Sequence, residues 1–154
     1  MRRLLLLAVV ALLLPAGALA AGFRFPSVSA DLGAKPKIGR SHGPAPKKLK
    51  MKDVVVGQGR VARPGDTVTM QYVGELYGSG KQFDASWDRG QPFTFQLGSG
   101  NVIQGWDRGI VGMRQGGRRL LVIPPSLGYG AAGAGGTIKP NETLVFVVDL
   151  EKIQ

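Results

Sequence analysis

The sequence has no cysteine and a single histidine, and these two shortages exclude more chemistry than any residue present suggests. Without Cys there is no disulfide framework, no thiolate nucleophile and no cysteine-ligated zinc site. The one imidazole, His42, sits among loop-forming residues, so no Ser-His or Cys-His nucleophile pattern is present. A His/carboxylate metal site would need that same imidazole, and neither a metal nor another cofactor is expected. Acidic residues are also scarce, 10 against 20 Lys and Arg. The excess is uneven: residues 21–50 carry seven basic residues and one Asp, whereas residues 51–154 carry eleven against nine. The basic character therefore belongs to the N-terminal region, which argues against nucleic acid as a partner of the whole chain.

Long hydrophobic runs are missing too. The longest, Leu4 to Leu14, has 11 residues and is short for crossing a bilayer. Arg2-Arg3 precedes it, Pro15 and Gly17 break it, and Ala18-Leu19-Ala20 follows. That order describes a secretory signal peptide over residues 1–20, cleaved after Ala20. The protein is expected to be secreted or held in the cell envelope, with no stable membrane anchor after cleavage. Residues 21–48 mix Pro, Gly, Ser, Lys and Arg with few large apolar residues. They lack the apolar period needed to bury a face, so a disordered basic linker is expected. A solvated spacer is preferred there over attraction to an anionic envelope surface.

From Leu49 the pattern changes, and residues 49–154 read as one domain. Val54-Val55-Val56 is strand-like and ends at Gly57-Gln58-Gly59. Between Thr67 and Leu76 the apolar residues Val68, Met70, Tyr72 and Leu76 alternate with polar ones, the period of a half-buried strand, although Val73 breaks the polar side. Phe93, Phe95 and Leu97 alternate likewise, Arg118–Ile123 follows a Gly-Gly turn, and Leu144–Leu150 places Leu144, Phe146, Val148 and Leu150 on one face. Asn101–Met113 has helical spacing instead, with Val102, Ile103, Trp106, Ile110 and Met113 on one side and Asn101 as N-cap. Glycines 105, 109 and 112 each cost about 1 kcal/mol in a helix interior, so this helix needs its apolar face buried. Strands joined by short turns around one helix give an antiparallel α+β domain.

Motif searches for catalysis return little. The glycines at 133, 135 and 136 lack the Lys-Ser/Thr of a phosphate loop, and Asp84 with Asp88 lacks a sugar-binding context. What remains is an unusual number of aromatic rings around few polar groups, as in pockets for apolar ligands. Phe95 reads as core, while Phe93 and Phe146 are divided evenly between core and pocket. Asp84, next to Phe83, would be costly at an apolar boundary without a partner, for which Arg89 is the candidate, although on the residues alone a surface Asp is the preferred reading.

Taken in order, Gln71-Tyr72-Val73-Gly74, Phe83-Asp84-Ala85-Ser86-Trp87-Asp88-Arg89, Pro92-Phe93, Val102-Ile103-Gln104-Gly105-Trp106-Asp107, Gly128-Tyr129-Gly130 and Thr143-Leu144-Val145-Phe146 resemble the FKBP family of peptidyl-prolyl cis-trans isomerases. The resemblance covers about Leu49 to Gln154. It implies an antiparallel sheet of five to six strands wrapped across one short α-helix, with a prolyl pocket between them. Trp106 would be the floor, Tyr72, Phe83, Phe93, Ile138 and Phe146 the walls, and Val102 with Ile103 a rim. The Ile103 N–H and the Tyr129 hydroxyl would donate to substrate carbonyls, and Asp84 would sit at the edge, oriented by Tyr72 and Arg89. Departures lie at Gln104, Ala134 and Lys139, which would tune ligand preference at the rim.

The implied activity is rotation about X-Pro bonds in exported polypeptides, with Asp84, Ile103 and Tyr129 acting on the bond. The alternative is a secreted proline-binding holdase with little turnover. The implied partners are proline-containing polypeptides and macrolide inhibitors such as rapamycin, with no nucleic acid, and the chain is expected to be a monomer.

Overall fold

Strand-period segments and one helical turn-and-a-half build the domain. The computed structural model describes residues 22–154, so the signal-peptide expectation lies outside the described residues. The elements are β1 (Lys50–Val55), β2 (Thr67–Leu76), β3 (Gln82–Ala85), α1 (Ser86–Arg89), β4 (Phe93–Gln96), α2 (Gln104–Gly109), β5 (Arg118–Ile123) and β6 (Leu144–Ile153), with a 3-10 turn at Pro125–Leu127. All strand pairings are antiparallel. The sheet order is β1-β5-β6-β2-β3, and β4 also pairs with β2. Thus β2 offers one edge to β6 and divides the other between β4 at its start and β3 at its end.

Alternation decides what each face buries. Val68, Met70, Tyr72 and Leu76 of β2 join Leu144, Phe146, Val148 and Leu150 of β6 on the inner face, where α2 contributes Trp106. On the outer face, Leu120, Val122, Val145, Val147 and Tyr77 form a second cluster. Val73, which breaks the β2 alternation, lies opposite Val147 and so belongs to this outer side.

The helix is shorter than the spacing predicts. It covers Gln104–Gly109, and Ile103 is its extended N-cap residue, so Asn101 does not cap it. Val102 and Ile103 precede the helix, and Met113 follows it in a turn. Its glycines are required by close approach: a Cβ at Gly105 would stand 2.5 Å from Ile123, and one at Gly109 2.8 Å from Leu121. The helix backbone therefore rests directly on the Ile123 and Leu121 side chains of β5. Arg119 fixes its far end, with Nη1 donating to the carbonyls of Gly109 (2.9 Å) and Val111 (3.2 Å) while Nε donates to Asp53 (2.6 Å).

Residues 22–48 do not form the expected disordered linker. They fold back as a strap on the outer face, where Phe23, Phe25, Val28 and Ile38 pack against the second cluster. Phe23 stacks on Tyr77 at 6.4 Å, and the Tyr77 hydroxyl donates to the His42 carbonyl at 3.0 Å. Arg118 is fully buried and pairs with Asp149 through two bonds of 2.6 and 2.7 Å. Its remaining donors hold the strap through the carbonyls of Ser29 (2.7 Å) and Ala34 (3.0 Å). The physical reason is that the outer face of β5 and β6 is apolar and needs a cover. A few widely spaced apolar residues meet that need without any regular period.

Two outcomes test this packing. Arg118→Ala leaves the Asp149 carboxylate and two strap carbonyls without their donor, and is expected to lower unfolding free energy by about 3–5 kcal/mol in urea titration. A protein lacking residues 22–48 is expected to melt at lower temperature and bind a hydrophobic dye. An unchanged melting temperature would show that the strap does not cover the face.

Candidate active site

A cavity of about 200 Å³ opens between α2 and the inner face of the sheet. Trp106 closes it from below, held 5% exposed. Its ring meets Tyr72 edge-on at 5.0 Å and Phe146 at 5.2 Å, with Phe93 at 6.0 Å. Such perpendicular contacts suit aromatic quadrupoles and hold each ring in one orientation. Phe83 reaches the wall because position 74 is glycine: a Cβ there would stand 2.7 Å from both Phe83 and Phe146. Trp106 Nε1 is buried without a hydrogen-bond partner among the described residues.

Of the eleven residues nominated by sequence, nine line the cavity: Tyr72, Phe83, Asp84, Phe93, Val102, Ile103, Trp106, Tyr129 and Phe146. Phe95 is core, as its alternation implies, and Phe146 serves both core and wall. Arg89 stands behind Asp84. Ile138 is buried in the inner core with Trp106 and Phe146 and bonded through its backbone to Ala134, at 2.8 and 3.0 Å, and is not among the residues that line the cavity. Asn101 lines the cavity instead of capping the helix. Helical spacing gave it a capping role, and no pattern in the sequence marked it as a lining residue.

The polar edge is a closed triangle. One Asp84 carboxylate oxygen accepts from the Tyr72 hydroxyl and the other from Arg89 Nη1, while Arg89 Nη2 donates to the Tyr72 hydroxyl at 2.8 Å. The Arg89 guanidinium also lies 5.7 Å from the centre of the Tyr72 ring. The short helix α1 sets this up by placing Arg89 five residues beyond Asp84, and Ser86 Oγ pins it to β2 by accepting from the Tyr72 N–H at 2.7 Å. Burial opposes ionisation of Asp84, but the bonds from Tyr72 and Arg89 outweigh it and hold the carboxyl below its ordinary range. Burial raises Tyr72, reinforced by its bond to Asp84. Burial likewise raises Tyr129, with the Asp84 charge adding to it.

Two further donors, at the cavity mouth, have no internal partner among the described residues. The Ile103 carbonyl accepts from the N–H groups of Trp106 (2.9 Å) and Asp107 (3.2 Å), leaving the Ile103 N–H free at the rim. Tyr129, 39% exposed, also lines the cavity, and its hydroxyl has no bonded partner among the described residues. The Asp107 carboxylate steadies the rim by accepting from the N–H groups of Gly98 (2.8 Å) and Gly100 (2.9 Å). The arrangement is an apolar slot with free donors at its mouth and one fixed carboxylate at its edge. It can desolvate a small apolar ring and hold flanking carbonyls.

Comparison with known proteins gives a consistent picture. Residues 58–151 match the sequence profile of a family described as FKBP-type peptidyl-prolyl cis-trans isomerase. A Streptomyces anulatus protein named FK506-binding protein is 53% identical over 117 residues, covering 75% of this chain and 94% of its own. A Neisseria meningitidis serogroup A protein of the same name is 50% identical over 105 residues, covering 68% of this chain and 95% of its own. The crystal structure of AtFKBP13 superposes with a TM-score of 0.64 at 41% identity, over 71% of this chain and 96% of that one.

Trp106→Ala is expected to cost about 3–5 kcal/mol of stability, measured by thermal or urea unfolding, because it empties the centre of the inner core. The Asp84 triangle is tested by acid titration. A carboxyl held below its unfolded value stabilises the fold above that value, about 3.9, and loses the contribution as pH falls through the folded value. The stability difference between the wild type and Asp84→Asn should therefore shrink as the solution is acidified. A difference that stays constant down to acid pH would show that the triangle does not hold the charge.

Proposed function

The chain belongs to the family of FKBP-type peptidyl-prolyl cis-trans isomerases, and from that premise we propose how its pocket turns the bond before proline. The barrier to rotation is about 18–20 kcal/mol, because twisting breaks amide resonance. Water stabilises the planar, polarised amide more than the twisted one. The proline ring enters over Trp106, between Tyr72, Phe93 and Phe146, and water is expelled from around the bond. The Ile103 N–H and the Tyr129 hydroxyl hold carbonyls flanking the twisted bond, and Asp84 orders the edge through Tyr72 and Arg89. No proton or electron pair is transferred. A thousandfold acceleration needs only about 4 kcal/mol, within reach of desolvation and positioning together.

The observation that supports this reading most directly is the pair of unbonded donors, Ile103 N–H and Tyr129 Oη, at the mouth of an aromatic slot. The substrates on this reading are proline-containing polypeptides, and macrolides such as rapamycin compete for the slot. The signal-like pattern of Met1–Ala20 supports work on exported proteins, in the cell envelope or after secretion. There, uncatalysed isomerisation over tens to hundreds of seconds would limit folding.

In a proline-limited refolding assay the protein is expected to shorten the slow phase, and rapamycin to restore it. Slowing of that phase would instead indicate a holdase. Tyr129→Phe should keep the fold and lose part of kcat/KM, since one donor goes. The pH profile follows from the site itself. Asp84 is held below its usual range and stays ionised, while Tyr72 and Tyr129 are held above theirs and stay protonated. Consequently kcat/KM should be nearly flat between about pH 6 and 8, clear of the reference values for Asp and Tyr. A bell with a limb near neutrality would require proton transfer and overturn this mechanism.

A further inference from the structure

Folding the strap onto the sheet turns a run of charges into a surface. Residues 22–52 hold eight Lys and Arg against one Asp, whereas residues 53–154 hold ten basic residues against nine acidic ones. The strap is a two-armed ribbon, joined by Ser29 N–H to the Lys37 carbonyl (3.1 Å) and Gly39 N–H to the Ser27 carbonyl (2.8 Å). Its apolar side lies down on the sheet. Arg24 stands between Phe23 and Phe25, and Lys37 beside Ile38, so extended alternation turns both cations away from the sheet. Both are exposed, as are Arg40, Lys47 and Lys48. Lys50 and Lys52 of β1 lie opposite Val122 and Leu120 and so emerge on the same outer face.

Of these eight cations only Lys35 forms an ion pair among the described residues, with Asp88 at 2.6 Å. The other seven lie along the strap and β1 with no ion-pair partner among the described residues, an arrangement that favours an anionic partner. We propose that the strap and β1 form a docking face for the phosphate headgroups of an anionic lipid bilayer. The outer face is the one opposite the cavity, which opens under the inner face beside α2. A molecule lying strap-down keeps its pocket open to polypeptides in solution. The strap's own aromatics argue against a single-stranded nucleic acid as occupant: Phe23 and Phe25 are turned onto the sheet, leaving no exposed platform for base stacking. At the strap's turn, Leu32 is 40% exposed and available to the interfacial layer of a bilayer. The attachment is electrostatic and reversible, and weakens with salt over a Debye length.

The test is co-sedimentation of the purified protein with phosphatidylglycerol vesicles and with phosphatidylcholine vesicles. At about 50 mM salt it should partition to the anionic vesicles only, and be released at about 500 mM. Charge removal by Arg24→Gln, Lys37→Gln, Arg40→Gln and Lys48→Gln together should weaken partitioning by roughly fivefold per cation. The same variant should keep the wild-type melting temperature and kcat/KM on a short proline peptide. Should it fail to fold, Lys37→Gln with Lys48→Gln alone is read in the same way. Equal binding to both vesicle types, or full binding by the variants, overturns the proposal. So does tighter binding to single-stranded DNA than to the anionic vesicles at matched salt. Loss of peptide isomerisation on saturating vesicles would overturn the strap-down orientation.

Discussion

Helix α2 lies so close to β5 that its contact positions, Gly105 and Gly109, admit no side chain, and the arrangement of the site follows from that contact. A six-residue helix with two interior glycines has little stability of its own. It exists because Trp106 and Ile110 are buried on the inner face and because Arg119 ties its last carbonyls to β1 through Asp53. Placing the helix there puts the Trp106 ring at the centre of the aromatic set. It also ends the preceding extended chain at Ile103, whose carbonyl starts the helix and whose N–H has no partner among the described residues. Floor and rim are consequences of one packing distance.

Period-two alternation in β2 and β6 was readable because each buries one complete row of apolar side chains under the helix. The helix was readable in kind but not in extent. Val102, Ile103 and Met113 share its buried side without being helical, so burial period and helical period coincide over Asn101–Met113 while the backbone does not. A helix as short as α1 has no period to detect, although it is the element that brings Arg89 to Asp84. Ile138 was assigned to the wall by resemblance alone, and it shares the inner core with Trp106 and Phe146.

The strap is the larger lesson. Phe23, Phe25, Val28 and Ile38 are too sparse, among too many Pro and Gly residues, to signal a buried face locally. The signal lay elsewhere in the chain. Arg118–Ile123 and Leu144–Leu150 are apolar at both parities, which half-buried antiparallel strands are not. A sheet with one face under a helix and apolar residues on the other requires a second cover, and the N-terminal region was the one segment left to supply it. Asp149 and Arg118, charges within those apolar runs, make sense on the same terms. They complete each other, and the spare guanidinium donors fasten the cover.

The two faces then divide the electrostatics between them. Around the cavity the charges are closed in on themselves: Arg89 and Tyr72 saturate Asp84, and burial keeps Tyr129 a neutral donor. Such a site changes little with pH or salt, which suits the desolvation proposed for it. On the strap the charges are mostly unpaired and mostly positive, and long-range attraction there is tuned by ionic strength. Had the cations been placed at the pocket mouth, every polyanion would compete with proline for access. Carried on a cover that the outer sheet face needs in any case, they can act on the surroundings without entering the chemistry.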